Sequence, residues 1–166
     1  MPIVDSLLPE YDHELATTRR LLERVPEAEF GWKPHPKSMS LGQLAGHVAN
    51  IPFWLSTALN GPFYDVTAGD REATLEPPPS SAVLLKEFDE KVSKARAILA
   101  RTSDAEMMAP WALKNGGQEI FSMPRAGVIR SFVMNHLIHH RGQLSVYLRL
   151  KDVPLPSIYG PTADEQ

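Results

Sequence analysis

The stretch Asn135-His136-Leu137-Ile138-His139-His140-Arg141-Gly142-Gln143-Leu144 holds three of the six histidines in a chain of 166 residues. Written as a helix, it places His136 and His140 four residues apart, so both imidazoles project from one face. The neighbours decide which face that is. At 3.6 residues per turn, Ile129, Phe132, Val133, His136, His140, Gln143, Leu144 and Tyr147 fall on one stripe. Arg130, Ser131, Arg141, Ser145 and Arg149 lie mostly opposite, where Arg141 and Arg149 are expected to make surface ion pairs, and Met134 and Ile138 also point outward. The pattern therefore predicts two imidazoles on the buried face. Buried ring nitrogens need partners, and two adjacent rings are served poorly by apolar packing and well by a divalent metal ion. His139 falls toward the rim, a position suited to supporting a ligand or facing a substrate.

Upstream, a helix is predicted from a cap at Ser38 or Ser40 through Ala58, with Asn60, Gly61 and Pro62 ending it. Leu44, His47, Ile51, Trp54 and Ala58 form its inward stripe, with Pro52 placed to bend it just past His47. Alone, His47 reads as a core histidine satisfied by hydrogen bonds. The first helix, Pro2 to Arg24, carries Val4, Leu7, Leu8, Tyr11, Leu15, Thr18, Leu21 and Leu22 inward and leaves His13 at the surface. Phe30 to Lys37 is an extended connector in which Trp32 plugs the core and His35, between two prolines, is a solvated loop residue.

Pro62 to Ser80 reads as a loop. Ser80 or Ser81 then caps a third helix, Ala82 to Arg101, with Leu85, Phe88, Val92, Ala95 and Leu99 inward and mixed charges outward. Thr102 to Met123 reads as irregular, with a short hairpin around Asn115-Gly116-Gly117. Pro124 is placed in the first turn of a fourth helix that runs to Leu150. The tail from Val153 is expected as a strap over the helices, loose from Thr162 to Gln166.

Four amphipathic helices with little strand predict an all-α fold, a four-helix bundle in a single domain spanning residues 1–166. The long loop before the third helix permits a topology other than simple up-and-down. Metal sites in bundles form between facing helices, so His47 is expected to meet His136 and His140.

A hydrophobic content of 43% and a charged content of 22% are ordinary for a globular chain. The net charge of -3 argues against nucleic acid as a partner. No apolar run reaches the ~20 residues of a membrane span, and Met1 to Leu8 lacks the pattern of a secretory signal, so a cytoplasmic location is expected. The absence of cysteine excludes disulfides, thiolate ligands and a cysteine nucleophile from the chain itself.

The segments Lys37-Ser-Met-Ser-Leu-Gly-Gln-Leu-Ala-Gly-His47 and Asn135 to Leu144 resemble the two signature helices of the DinB/YfiT-like family, and Pro156 to Glu165 resembles its C-terminal end. The resemblance implies a four-helix bundle, frequent dimerisation, and a three-histidine divalent metal site carried onto His47, His136 and His140. Some members of that family are thiol-dependent transferases or isomerases using low-molecular-weight thiols, and many have no assigned activity. Three neutral imidazoles leave the ion its full charge and an open position. Imidazole suits zinc, nickel, copper and iron, and the donor set does not choose among them; zinc or nickel is the expected ion, with iron a further candidate. Gln43, Asn50 and Gln143 are candidates to hold the rings' second nitrogens.

The expected function is a metal-dependent transferase or hydrolase. It would activate water or a thiol cosubstrate toward a small electrophile. The alternatives are a non-catalytic metal-binding stress or interaction protein and a purely structural bundle.

Overall fold

The start of the second helix is built by four hydrogen bonds that the sequence supplies locally. In the computed structural model, which describes residues 1–69 and 76–165, α1 spans Ile3–Leu22, α2 Leu41–Asn60 and α3 Ser81–Leu99. At the head of α2, Gln43 N–H donates to Ser40 Oγ at 3.1 Å and Ser40 N–H donates to Gln43 Oε1 at 2.8 Å, a reciprocal capping box. Two further donors of the first turn reach the connector: Leu41 N–H to Trp32 O at 2.8 Å and Gly42 N–H to Phe30 O at 2.9 Å. A β-carbon at Gly42 would stand 2.9 Å from Phe30 Cβ and 3.0 Å from its carbonyl oxygen, so the close approach requires glycine. These contacts set where α2 begins and so where His47 falls. The helix runs unbroken through Pro52. At α3, Ser80 Oγ accepts from Val83 N–H at 3.2 Å.

The all-α expectation is corrected by a small sheet. β1 is Phe63–Asp65, followed by a 3-10 turn at Val66–Ala68. Residues 70–75 of the expected loop lie outside the described residues. The stretch expected to be irregular holds α4, Asp104–Met108, on a second capping box between Ser103 and Glu106. After α4 come β2, Pro110–Asn115, and β3, Gln118–Pro124, the expected hairpin. Gly116 and Gly117 have φ of +58° and +82°, the left-handed pair that a two-residue hairpin turn demands. The sheet order is β1-β2-β3, with β1 parallel to β2 and β2 antiparallel to β3. With three residues, β1 is too short to show an alternating pattern. Asp65 ties it down: its carboxylate accepts from the Gly116 and Gly117 amides at 3.0 and 2.7 Å.

Pro124 immediately precedes the last helix instead of occupying its first turn. That helix is continuous but not uniform: α5 (Arg125–Val128), a π-helical segment (Ile129–Met134) and α6 (Asn135–Leu150). α1 packs on α3 and on α6, and α2 packs on α3 and on the last helix, so α1 and α2 take opposite corners of the bundle. One core, including Tyr11, Leu15, Leu44, Val48, Phe88 and Leu144, fills the space between the four helices. A second cluster of Ala58, Tyr64, Trp111 and Val128 lies under the sheet.

The buried seam of the last helix is Val128, Ile129, Val133, Met134, Leu137, Arg141, Leu144 and Leu148; Ile129, Val133 and Leu144 fall as expected, and from the π-helical segment on the rest of the expected stripe is corrected by about one residue. Phe132 is 42% exposed and stacks on Phe121 at 4.7 Å. Met134, expected outside, is buried, and Arg141, expected on the surface, is 1% exposed. The guanidinium survives there because Glu14, also buried, faces it at 2.6 Å. It also donates to Glu14 O at 3.1 Å, Thr18 Oγ1 at 3.2 Å and Tyr159 Oη at 2.7 Å. Tyr159 in turn donates to the Glu14 carboxylate at 2.9 Å, which pins the C-terminal strap. The expected loose end is tied through Glu165: Thr162 N–H donates to Glu165 O at 2.8 Å, Ser157 N–H to Glu165 Oε2 at 2.6 Å, and Arg149 pairs with Asp164. Gln166 lies outside the described residues. Among the described residues, no helix is long and apolar enough to cross a membrane.

Candidate metal centre

Two anchors align α2 with the last helix. At one end Arg125 donates to Ala58 O at 2.9 Å, Gly61 O at 3.1 Å and Glu106 O at 3.2 Å. A cation on the carbonyls that end α2 satisfies orphan acceptors and complements the helix dipole. At the other end Tyr147 Oη donates to Met39 O at 3.4 Å. The two helices are thus antiparallel. His47 lies eleven residues back from Ala58, and His136 lies eleven residues on from Arg125. Counted from that anchor, the equal spacing brings both histidines to a similar level of the bundle.

The rings do meet. His47 Nε2 and His136 Nε2 are 2.8 Å apart. Ring centroids are 5.0 Å apart for His47 and His136, 4.5 Å for His47 and His140, and 4.4 Å for His136 and His140. One nitrogen from each ring lies within 4.8 Å of the others. All three residues are half-buried, at the rim of the seam instead of its centre. The rings therefore open toward solvent.

Burial and crowding decide the protonation state. Burial, then repulsion from His140 and His136, pushes the His47 pKa down to about 4. His136 is lowered by burial and then by His140 and His139. His140 is lowered by burial, partly opposed by its hydrogen bond to Gln143. At neutral pH the trio is uncharged, the state in which imidazole offers a lone pair. Three neutral nitrogens this close match the donor set of a nitrogen-rich divalent site. The residues present fit a metal ion.

Of the supporting groups expected, Gln143 is in place: its Oε1 lies 2.7 Å from His140 Nδ1. Gln43 is engaged in the α2 cap, and Asn50 lines a cleft between α2 and α3 with Leu84, Glu87 and Lys91. His139 is exposed, its ring 4.8 Å from that of His140 and outside the trio. His13 and His35 are exposed elsewhere, as expected. Sequence reasoning missed the pair of Glu14 and Arg141, which abuts His140 in the chain. Its signal was present: Glu14 sits three residues after Tyr11 and four before Thr18, and Arg141 four after Leu137 and three before Leu144. Opposite charges stood on two apolar stripes.

A profile described as the DinB superfamily matches residues 10–144. The chain is 25% identical over 162 residues to the uncharacterised protein YrdA of Bacillus subtilis, covering 98% of this chain and 91% of that protein. A DinB-like protein from Bacillus cereus superposes with a TM-score of 0.73 at 19% identity, covering 95% of this chain and 98% of that one. A second, YjoA from Bacillus subtilis, gives a TM-score of 0.69 at 19% identity, covering 95% and 99%. With the profile spanning both signature helices and the fold shared end to end, the chain belongs to the DinB superfamily.

Proposed function

We propose that this protein is a metal-dependent enzyme in which His47, His136 and His140 hold one divalent ion. The reaction transfers water or an external low-molecular-weight thiol to a small electrophile, making the protein a hydrolase or a thiol transferase. The observation that carries the reading is the convergence of three uncharged imidazoles from two helices within 4.8 Å. Imidazole suits zinc, nickel, copper and iron, and zinc or nickel is the ion proposed, with iron the further candidate. An ion held by three neutral ligands supplies Lewis acidity at full double charge. The chain's own residues do the rest. His47, His136 and His140 need lose no proton to act as ligands. Their half-buried setting keeps the rings open to solvent, and His139 beside them is exposed. A thiol must arrive as cosubstrate, because the chain has no cysteine.

The test begins with metal content. Protein loaded with zinc and gel-filtered should carry one ion per chain by mass spectrometry, and His47→Ala, His136→Ala and His140→Ala should each lose it. Unchanged content in any of them overturns the ligand set. The zinc-loaded protein should then turn over in a screen of thiol-conjugation and hydrolysis reactions. A cobalt-substituted protein with no exchangeable coordination position would overturn the enzyme reading and leave a non-catalytic metal-binding protein.

A further inference from the structure

A neutral imidazole carries its proton on one nitrogen and its lone pair on the other, so the partner of one nitrogen decides what the other can do. His140 faces two ways. Its ring meets those of His47 and His136, at 4.5 and 4.4 Å between centroids. Its Nδ1 lies 2.7 Å from Gln143 Oε1. An amide oxygen only accepts, so Nδ1 carries the hydrogen and Nε2 is left with a free pair. Gln143 stands three residues on from His140, the spacing at which side chains on a helix meet. It is exposed, and a β-carbon at neighbouring Gly142 would meet nothing within 4 Å. Because Gln143 is itself exposed, its amide can be replaced without opening a cavity in the core.

We propose that Gln143 is a positioning residue that locks His140 in the Nδ1–H tautomer and so aims its Nε2 lone pair at the ion. The inference deepens the metal-site reading and rests on it for the role of the lone pair, but the tautomer itself is a property of the metal-free protein. Groups of this kind are worth ~10–100-fold in metal affinity. Replacing Gln143 by leucine removes the acceptor at an exposed position, so the fold should stand. Replacing it by glutamate keeps an acceptor oxygen and makes it stronger.

The experiment has two arms. In the first, two-bond nitrogen–proton NMR on histidine-labelled, metal-free protein at about pH 8, above the ordinary histidine range, reads the tautomer of His140. Wild type and Gln143→Glu should show Nδ1–H, and Gln143→Leu should lose that preference. In the second, zinc is titrated against a chromogenic chelator. Gln143→Leu should bind ~10–100-fold more weakly, and Gln143→Glu at least as tightly as wild type. A wild-type His140 protonated on Nε2 would overturn the proposal, as would a leucine variant with unchanged tautomer or with affinity within about threefold of wild type. Wild type that shows the Nδ1–H form and binds no zinc would overturn the metal role while bearing out the tautomer lock.

Discussion

Arg141→Met is the substitution whose cost the structure sets most sharply. The guanidinium is 1% exposed and the Glu14 side chain 7% exposed, at 2.6 Å from each other. Methionine keeps much of the stem's volume and removes four contacts: the ion pair and the bonds to Glu14 O, Thr18 Oγ1 and Tyr159 Oη. What remains is a buried carboxylate with only the Tyr159 hydroxyl of that set facing it. Breaking a buried pair from one side costs about 3–5 kcal/mol, because the surviving charge has lost both water and partner. Against a typical total of about 5–15 kcal/mol, that is a large share. For a chain of this size it corresponds to a melting point lower by about 6–20 °C. Urea titration followed by circular dichroism measures it, with an unchanged slope showing that the transition is still two-state. The double variant Glu14→Leu/Arg141→Met removes both charges and should recover most of the loss, since apolar replacement of a whole buried pair is often neutral or better. A loss below about 1 kcal/mol for Arg141→Met, or single costs that simply add in the double variant, would refute the view that these charges hold each other in the core.

In the metal-free protein the depressed histidines make stability acid-sensitive. Their contribution is full above the unfolded histidine pKa of about 6.5 and is lost as pH falls from there toward the His47 value of about 4. Urea midpoints measured across that window should therefore fall, and those of His47→Ala should fall less. Asp65→Ala should release the hairpin turn, raising amide exchange at Gly116 and Gly117 while the helices keep their protection. Thr67 and the two glycine amides hold the Asp65 carboxyl well below the usual range, so its clamp should persist to lower pH than an ordinary aspartate would allow. Arg125→Met removes donors to three carbonyls and should cost about 2 kcal/mol. If Arg125 sets the level at which His136 meets His47, zinc binding should weaken with it; unchanged zinc affinity would separate the anchor from the site.

How far these features could be read from the chain depended on whether their cause is local. The caps of α2 and α3 were legible to within two residues, at Ser38 or Ser40 and at Ser80 or Ser81, as was the Asn-Gly turn, because each acts on residues within a few positions; the Ser103 cap of α4 was not read. The extents of α1, α2 and α3 followed from the caps and the apolar period. The convergence of three rings was also legible, because His47, His136 and His140 each stand on or beside an apolar stripe. The seam of the last helix was not. A constant 3.6-residue wheel runs straight through Ile129–Met134, where the backbone bonds one residue further on and the phase slips. Arg141 deepened the error. A guanidinium reads as solvent-facing until its neutralising carboxylate is known, and Glu14 is 127 residues away. The strand β1 failed for a like reason, since its partner β2 lies some fifty residues along the chain.

The corrected seam alters what the histidines are for. At the centre of the core they would need no opening and could be satisfied by one another. Placed one residue off the seam, they keep enough burial to stay uncharged and stay open to solvent, as the proposed metal site requires. The residue that takes the seam position beside His140 is Arg141, a fixed positive charge next to a site proposed for a doubly charged cation. Its field would oppose the ion if it stood alone. Paired to Glu14 at 2.6 Å and hydrogen-bonded on both sides, it presents a nearly neutral unit instead. The ion pair thus supports the fold through packing and the site through charge, and it also ties α1, α6 and the C-terminal strap to the turn of helix that carries His140.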